Sequence, residues 1–141
     1  MSRSQSPAAS PPTASERITE EVTSWPGIEA GWGRRGEYAF RVRRREIGHL
    51  HGDHAAHFNF PKPVWAELRD QGRIGPHPVF PDREGPAARG IRSDADVVDV
   101  IALLRLNYDR LTAAAQPAGE AAEPAGEVVG VRAAASAGSA R

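Results

Sequence analysis

The sequence predicts an α+β two-layer sandwich: a small antiparallel sheet with helices packed on one face. Three observations predict it. Stretches with period-2 alternation crowd between Ile28 and Phe60, short turns join them as hairpins, and helical spacing appears on either side of them.

Each element has its own warrant. Ser15 is placed to cap a first helix with Ile18 and Val22 on one face, and Trp25-Pro26-Gly27 ends it, because the residue before proline is pushed out of the helical region. Ile28 to Trp32 reads as a short strand, followed by the turn Gly33-Arg34-Arg35-Gly36. From Glu37 to Val42 the chain alternates, with Tyr38, Phe40 and Val42 on one face. Arg45 to His51 and His54 to Phe60 are two more strands, joined at Gly52-Asp53.

Pro61-Lys62-Pro63 then opens a helix with Val64, Trp65 and Leu68 at helical spacing, stopped by Gly72. Arg73 to Gly90 is rich in Pro and Gly, with strand pieces expected at Val79-Phe80 and from Arg89 to Arg92. Ser93-Asp94-Ala95-Asp96 starts the last helix, whose face is Val97, Ile101, Leu104, Tyr108 and Leu111. Residues 1–14 and 113–141 carry too few large apolar side chains to offset chain entropy. They are expected to be disordered tails around a domain spanning 15–112.

Composition narrows the chemistry. Of 141 residues, Lys and Arg number 18 and Asp and Glu number 18, so no net positive field favours nucleic acid or an anionic membrane surface. Lys62 is the single lysine, and no G-x-x-x-x-G-K-[ST] surrounds it. The absence of cysteine removes disulfides, thiolate metal sites and cysteine nucleophiles. No apolar run reaches the roughly twenty residues of a membrane span, and no signal core is visible, so a cytoplasmic location is expected.

What remains is imidazole. All 5 histidines lie between His49 and His77, and four of them fall within nine residues. On a strand, His49 and His51 point to one face with Cα atoms roughly 6.5–7 Å apart, close enough to converge on one metal ion or one substrate atom. Either His57, from the facing strand, or His77, from the later loop, can complete a three-nitrogen set suited to Zn, Fe or Cu. Without a metal, the same groups can act as base and acid. His54 sits beside the turn and reads as merely exposed.

The other constellations are weaker. Arg41, Arg43, Arg44 and Arg45 read as a solvated strand edge, with Arg45 the one carried forward as a substrate contact. Trp65 can stack on a planar ligand, although Trp25, Trp32 and Trp65 are more often core or rim residues. No G-x-S-x-G, G-x-G-x-x-G or H-E-x-x-H is present.

At the histidines the sequence resembles a known family. The run Arg45-Glu46-Ile47-Gly48-His49-Leu50-His51, the further His54, Phe60-Pro61-Lys62-Pro63, Gly75-Pro76-His77-Pro78 and the helix through Tyr108 resemble the luciferase domain of fungal luciferases. They are more similar still to short bacterial luciferase-family proteins, over about residues 16–112. The fungal relatives oxidise a hydroxylated styrylpyrone with molecular oxygen, without a flavin or nicotinamide.

The resemblance therefore implies His49, His51 and His77 as catalytic residues, oxygen as co-substrate and no organic cofactor. One imidazole would take a proton from an enol or phenol, and the others would hydrogen-bond the developing oxyanion. Glu46 would orient a histidine only if it turned toward the site, and strand alternation places it on the opposite face. The Trp-Gly pair that precedes the His-Pro in fungal luciferases is absent from Gly72-Arg73-Ile74-Gly75-Pro76, and the spacing of His57 also differs. The fungal enzymes' hydrophobic anchor has no counterpart in residues 1–14. The family thus implies a site and not light emission.

Two classes of function are compatible with these residues. One is a cofactor-independent oxygenase or related His-based enzyme acting on a small aromatic or enolic metabolite. The other is a non-catalytic module that binds a small molecule or a metal in the same cleft. Neither requires a particular oligomeric state.

Overall fold

A computed structural model describes residues 10–115. Its elements are α1 (Ala14–Thr23), β1 (Ile28–Trp32), β2 (Tyr38–Val42), β3 (Arg45–His51), β4 (Ala55–Asn59), α2 (Lys62–Asp70), β5 (Gly75–Pro76), β6 (Pro86–Gly90) and α3 (Asp94–Ala115). The strands form one antiparallel sheet in the order β1-β2-β3-β4-β6-β5. This is the α+β sandwich expected from the alternation of periods.

The helix face of the sheet holds the core. Phe40, Leu50 and Ile47 from the sheet meet Ile18 and Val22 of α1 and Val100, Leu103 and Leu104 of α3, all essentially without solvent contact. Four of the five residues expected on the last helix's face, Val97, Leu104, Tyr108 and Leu111, are buried; Ile101 is half-buried. The Tyr108 hydroxyl donates to the Pro26 carbonyl at 2.6 Å, and its ring lies 5.3 Å from that of Trp25. That contact locks α3 against the bend after α1.

Several boundaries differ from expectation. The cap of α1 is Thr13 rather than Ser15: Thr13 Oγ1 accepts the Glu16 N–H, and Glu16 Oε1 accepts the Thr13 N–H, closing a capping box. Ser15 lies inside the first turn, where its free N–H donates to Asp53 of the β3–β4 turn at 2.8 Å. The helix thus starts at Ala14, one residue inside the expected tail. Ala113–Ala115 continue α3, while residues 1–9 and 116–141 of the expected tails lie outside the described residues.

Val79 and Phe80 form no strand. They stand between Pro78 and Pro81, which have no N–H to give a ladder, and both side chains are exposed. The strand instead runs from Pro86 to Gly90, with the two-residue β5 pairing on its outer side. Arg43 and Arg44 are not on a strand edge either. They form the two-residue β2–β3 turn, at φ 53 and φ 67, in the left-handed conformation that such hairpins require.

One irregularity inside the sheet re-aims a side chain on its open face. Between β2 and β3 the register shifts: Phe40 faces Gly48 but Arg41 faces Glu46, leaving Ile47 as an extra residue. This is a β-bulge, and it turns the strand by one position. Asn107, fully buried in α3, donates from Nδ2 to the carbonyls of Ile47 and Asn59, each at 3.2 Å. The bulge carbonyl is thereby satisfied from the helix layer.

Candidate functional site

The face of the sheet away from α1 and α3 carries the histidines. In an antiparallel pair, residues directly opposite share a face, and His49 stands opposite His57. His51, two residues along β3, joins them. The rings of His49, His51 and His57 lie at centroid separations of 4.9, 5.2 and 4.3 Å, and one ligand nitrogen from each falls within 4.8 Å of the others. The small residues Ala39 and Ala88, which pair with His49 and His57 from the neighbouring strands, leave room for the imidazoles between them.

His77 reaches the same place from the loop after β5, its ring 4.5 Å from that of His57. The Val79 N–H donates to His77 Nδ1 at 3.1 Å. In the neutral ring that leaves the proton on Nε2, so His77 presents a donor. His54 stays in the turn, exposed.

Glu46 joins the site because of the bulge. Simple alternation would set Glu46 and His49, three residues apart, on opposite faces. The extra residue Ile47 returns Glu46 to the open face, where its Oε2 lies 2.6 Å from His49 Nδ1. With Nδ1–H donated to the carboxylate, His49 Nε2 keeps its lone pair for the cleft.

The cleft has a volume of about 410 Å³ and is lined by Glu46, His49, His57, His77, Phe80 and Arg83 among others. Phe80 and Arg83 belong to the loop after His77, with the Arg83 guanidinium 5.0 Å over the Phe80 ring. Sequence spacing offers no signal for either, since only the return of this loop brings them in.

Trp65 and Arg45 do not line the cleft. Trp65 donates from Nε1 to the Pro86 carbonyl at 3.0 Å and lies under Arg69, so its polar atom ties α2 to β6. Arg45 opens β3 opposite Val42, exposed, at the far side of the bulge from His49.

Crowding governs the protonation of the cluster. Burial, reinforced by the charges of His51, His77 and His49, pushes His57 down to about 4 against the opposing pull of Glu46. Burial also lowers His51, with the charge of His49 acting in the same sense and Glu37 opposing, and it lowers His77, where His49 and His51 reinforce it. Three of the four imidazoles are thus held toward the neutral form, with lone pairs available at neutral pH.

A family model described as the luciferase domain matches residues 44–107. Over this stretch, 64 of the chain's 141 residues, the chain is similar to the luciferase domain. The match begins in the β2–β3 turn and runs to Asn107, so it contains Glu46, all five histidines and the bulge; α1, β1 and β2 lie outside it. It is narrower than the span expected from the sequence. No curated protein and no solved structure matches the chain. No helix among the described residues is long and apolar enough to cross a membrane.

Proposed function

We propose that this domain is a small His-based enzyme acting on an aromatic or enolic metabolite with molecular oxygen, without a flavin or nicotinamide. The observation that carries the reading is the 2.6 Å contact of Glu46 with His49 on the wall of an open cleft. A carboxylate on Nδ1 fixes the tautomer and orients the ring, so that the Nε2 lone pair faces the cleft. His49 Nε2 takes the proton of an enol or phenol, and the Nε2–H of His77 donates to the resulting oxyanion. Phe80 and Arg83 give the ring and charge of such an anion an apolar and a cationic neighbour. The anion is electron-rich and reacts with oxygen; light emission is no part of the proposal.

The test is oxygen consumption with a panel of catechols and hydroxypyrones. Uptake by the wild type that falls sharply in His49→Ala and His51→Ala is expected. No uptake with any compound, in protein shown to be folded, overturns the reading. It would favour the second one, a module that binds a small molecule without turning it over. That second reading draws on Phe80, 41 % exposed, because the loop it belongs to shields the cleft only partly from water.

A further inference from the structure

We propose that His49, His51 and His57 together bind one divalent transition-metal ion. Glu46 orients the first of these ligands, and His77 stands beside the ion as a hydrogen-bond donor. The inference rests on the enzymatic reading for its location and not for its chemistry. With an ion bound, His49 Nε2 would be a ligand rather than the base; the ion would acidify a coordinated substrate hydroxyl, whose proton would pass to solvent water.

Two independent observations carry it. The first is geometric: three ligand nitrogens from two adjacent strands lie within 4.8 Å of one another. On an ion with metal–nitrogen bonds of 2.0–2.1 Å, tetrahedral ligands stand about 3.3 Å apart. Small side-chain rotations close that difference, because all three rings already share one face of a hydrogen-bonded sheet.

The second is an unpartnered group. His57 is only 9 % exposed, yet neither of its ring nitrogens has a hydrogen-bond partner among the described residues. The ring nitrogens of His51, 4.3 Å away between centroids, also lack one. Buried polar atoms in native proteins are almost always satisfied, so an orphaned imidazole among other imidazoles calls for a ligand.

The donor set decides which ions fit. Neutral imidazoles suit Zn²⁺, Co²⁺, Fe²⁺, Ni²⁺ or Cu²⁺, whereas Mg²⁺ and Ca²⁺ select oxygen. Three protein ligands with an open position are the arrangement of catalytic rather than structural sites. Glu46 on His49 Nδ1 supplies the carboxylate–histidine pair that metal-bound imidazoles usually have. His77 is not a fourth ligand in its present tautomer, since its Nδ1 accepts from Val79 and its Nε2 carries the proton.

The full chain, prepared without a polyhistidine tag and stripped with EDTA, is titrated with Co²⁺ and followed by its visible absorption. One equivalent is expected to bind, with the d–d bands of a low-coordinate site. Binding should weaken by at least about tenfold in His51→Ala and in His57→Ala, by roughly 10–100-fold in Glu46→Gln, and not at all in His54→Ala. Absence of saturable binding, or binding unchanged by His51→Ala in folded protein, overturns the proposal. Oxygen uptake that persists undiminished in EDTA overturns it as well, while leaving the enzymatic reading intact. Stoichiometric Co²⁺ binding without oxygen uptake supports the metal site and overturns the enzyme.

Discussion

The carboxylate of Glu46 lies 2.6 Å from Nδ1 of His49 although the two residues are an odd number of positions apart on one strand. The bulge at Ile47 makes this possible, and α3 holds the bulge through Asn107. The chemistry on the open face is therefore built from the core side.

Replacing Glu46 tests the polarity of that pair. Glu46→Gln keeps the shape and removes the charge. Turnover of any accepted substrate should fall by about 10–100-fold with little change in KM, and the acid limb of the pH–rate profile should move. Glu46→Asp should recover part of the loss. A purely structural role for Glu46 would leave the pH profile in place.

The site also shapes stability against pH. His57 has a folded value of about 4, below the value near 6.5 of an unfolded chain. Between these values the unfolded chain binds the proton and the folded one does not. The contribution is complete above pH 6.5, is lost as pH falls toward 4, and changes no further below that. Urea denaturation of the EDTA-treated chain at pH 7, 5.5 and 4.5 should show this decline, and His57→Gln should flatten it. Carbon-bound imidazole protons followed by NMR should show His57 titrating at about 4.

Asn107 is the polar residue on the buried face of α3. Asn107→Leu fills a similar volume but leaves the Ile47 and Asn59 carbonyls without donors. A loss of about 2 kcal/mol is expected in chemical denaturation. With the bulge released, Glu46 loses its hold on His49, so activity should fall at temperatures where the variant is still folded.

The β2–β3 turn is built from residues ill suited to it. Arg43 and Arg44 both hold positive φ, which costs a non-glycine residue roughly 1 kcal/mol each. Arg44→Gly should therefore raise stability by about 1 kcal/mol, seen as a higher Tm, and leave the histidine cluster untouched. A lower Tm would mean that the Arg44 side chain makes a contact worth more than the strain.

Much of the domain is legible in local pattern. Period-2 alternation and turn residues locate β1 to β4, proline and glycine bound α2, and the apolar stripe of α3 needs only its own spacing. The pleat alone places His49 and His51 on one face, and their pairing across to His57 comes from the Gly52-Asp53 turn. These are properties of neighbours in the chain, so residue identities suffice to determine them.

Tertiary structure decided the rest. Alternation alone sets Glu46 on the wrong face, because a bulge is fixed by hydrogen-bond register with another strand and by Asn107, far along the chain in α3. The loop that delivers His77, Phe80 and Arg83 has no periodicity, and its course depends on β5 pairing with β6. Trp65 is drawn away from the cleft by a carbonyl that only the folded β6 presents. The sequence by itself determined that imidazoles would share a surface. Long-range packing determined which carboxylate orients them and which loop closes over them.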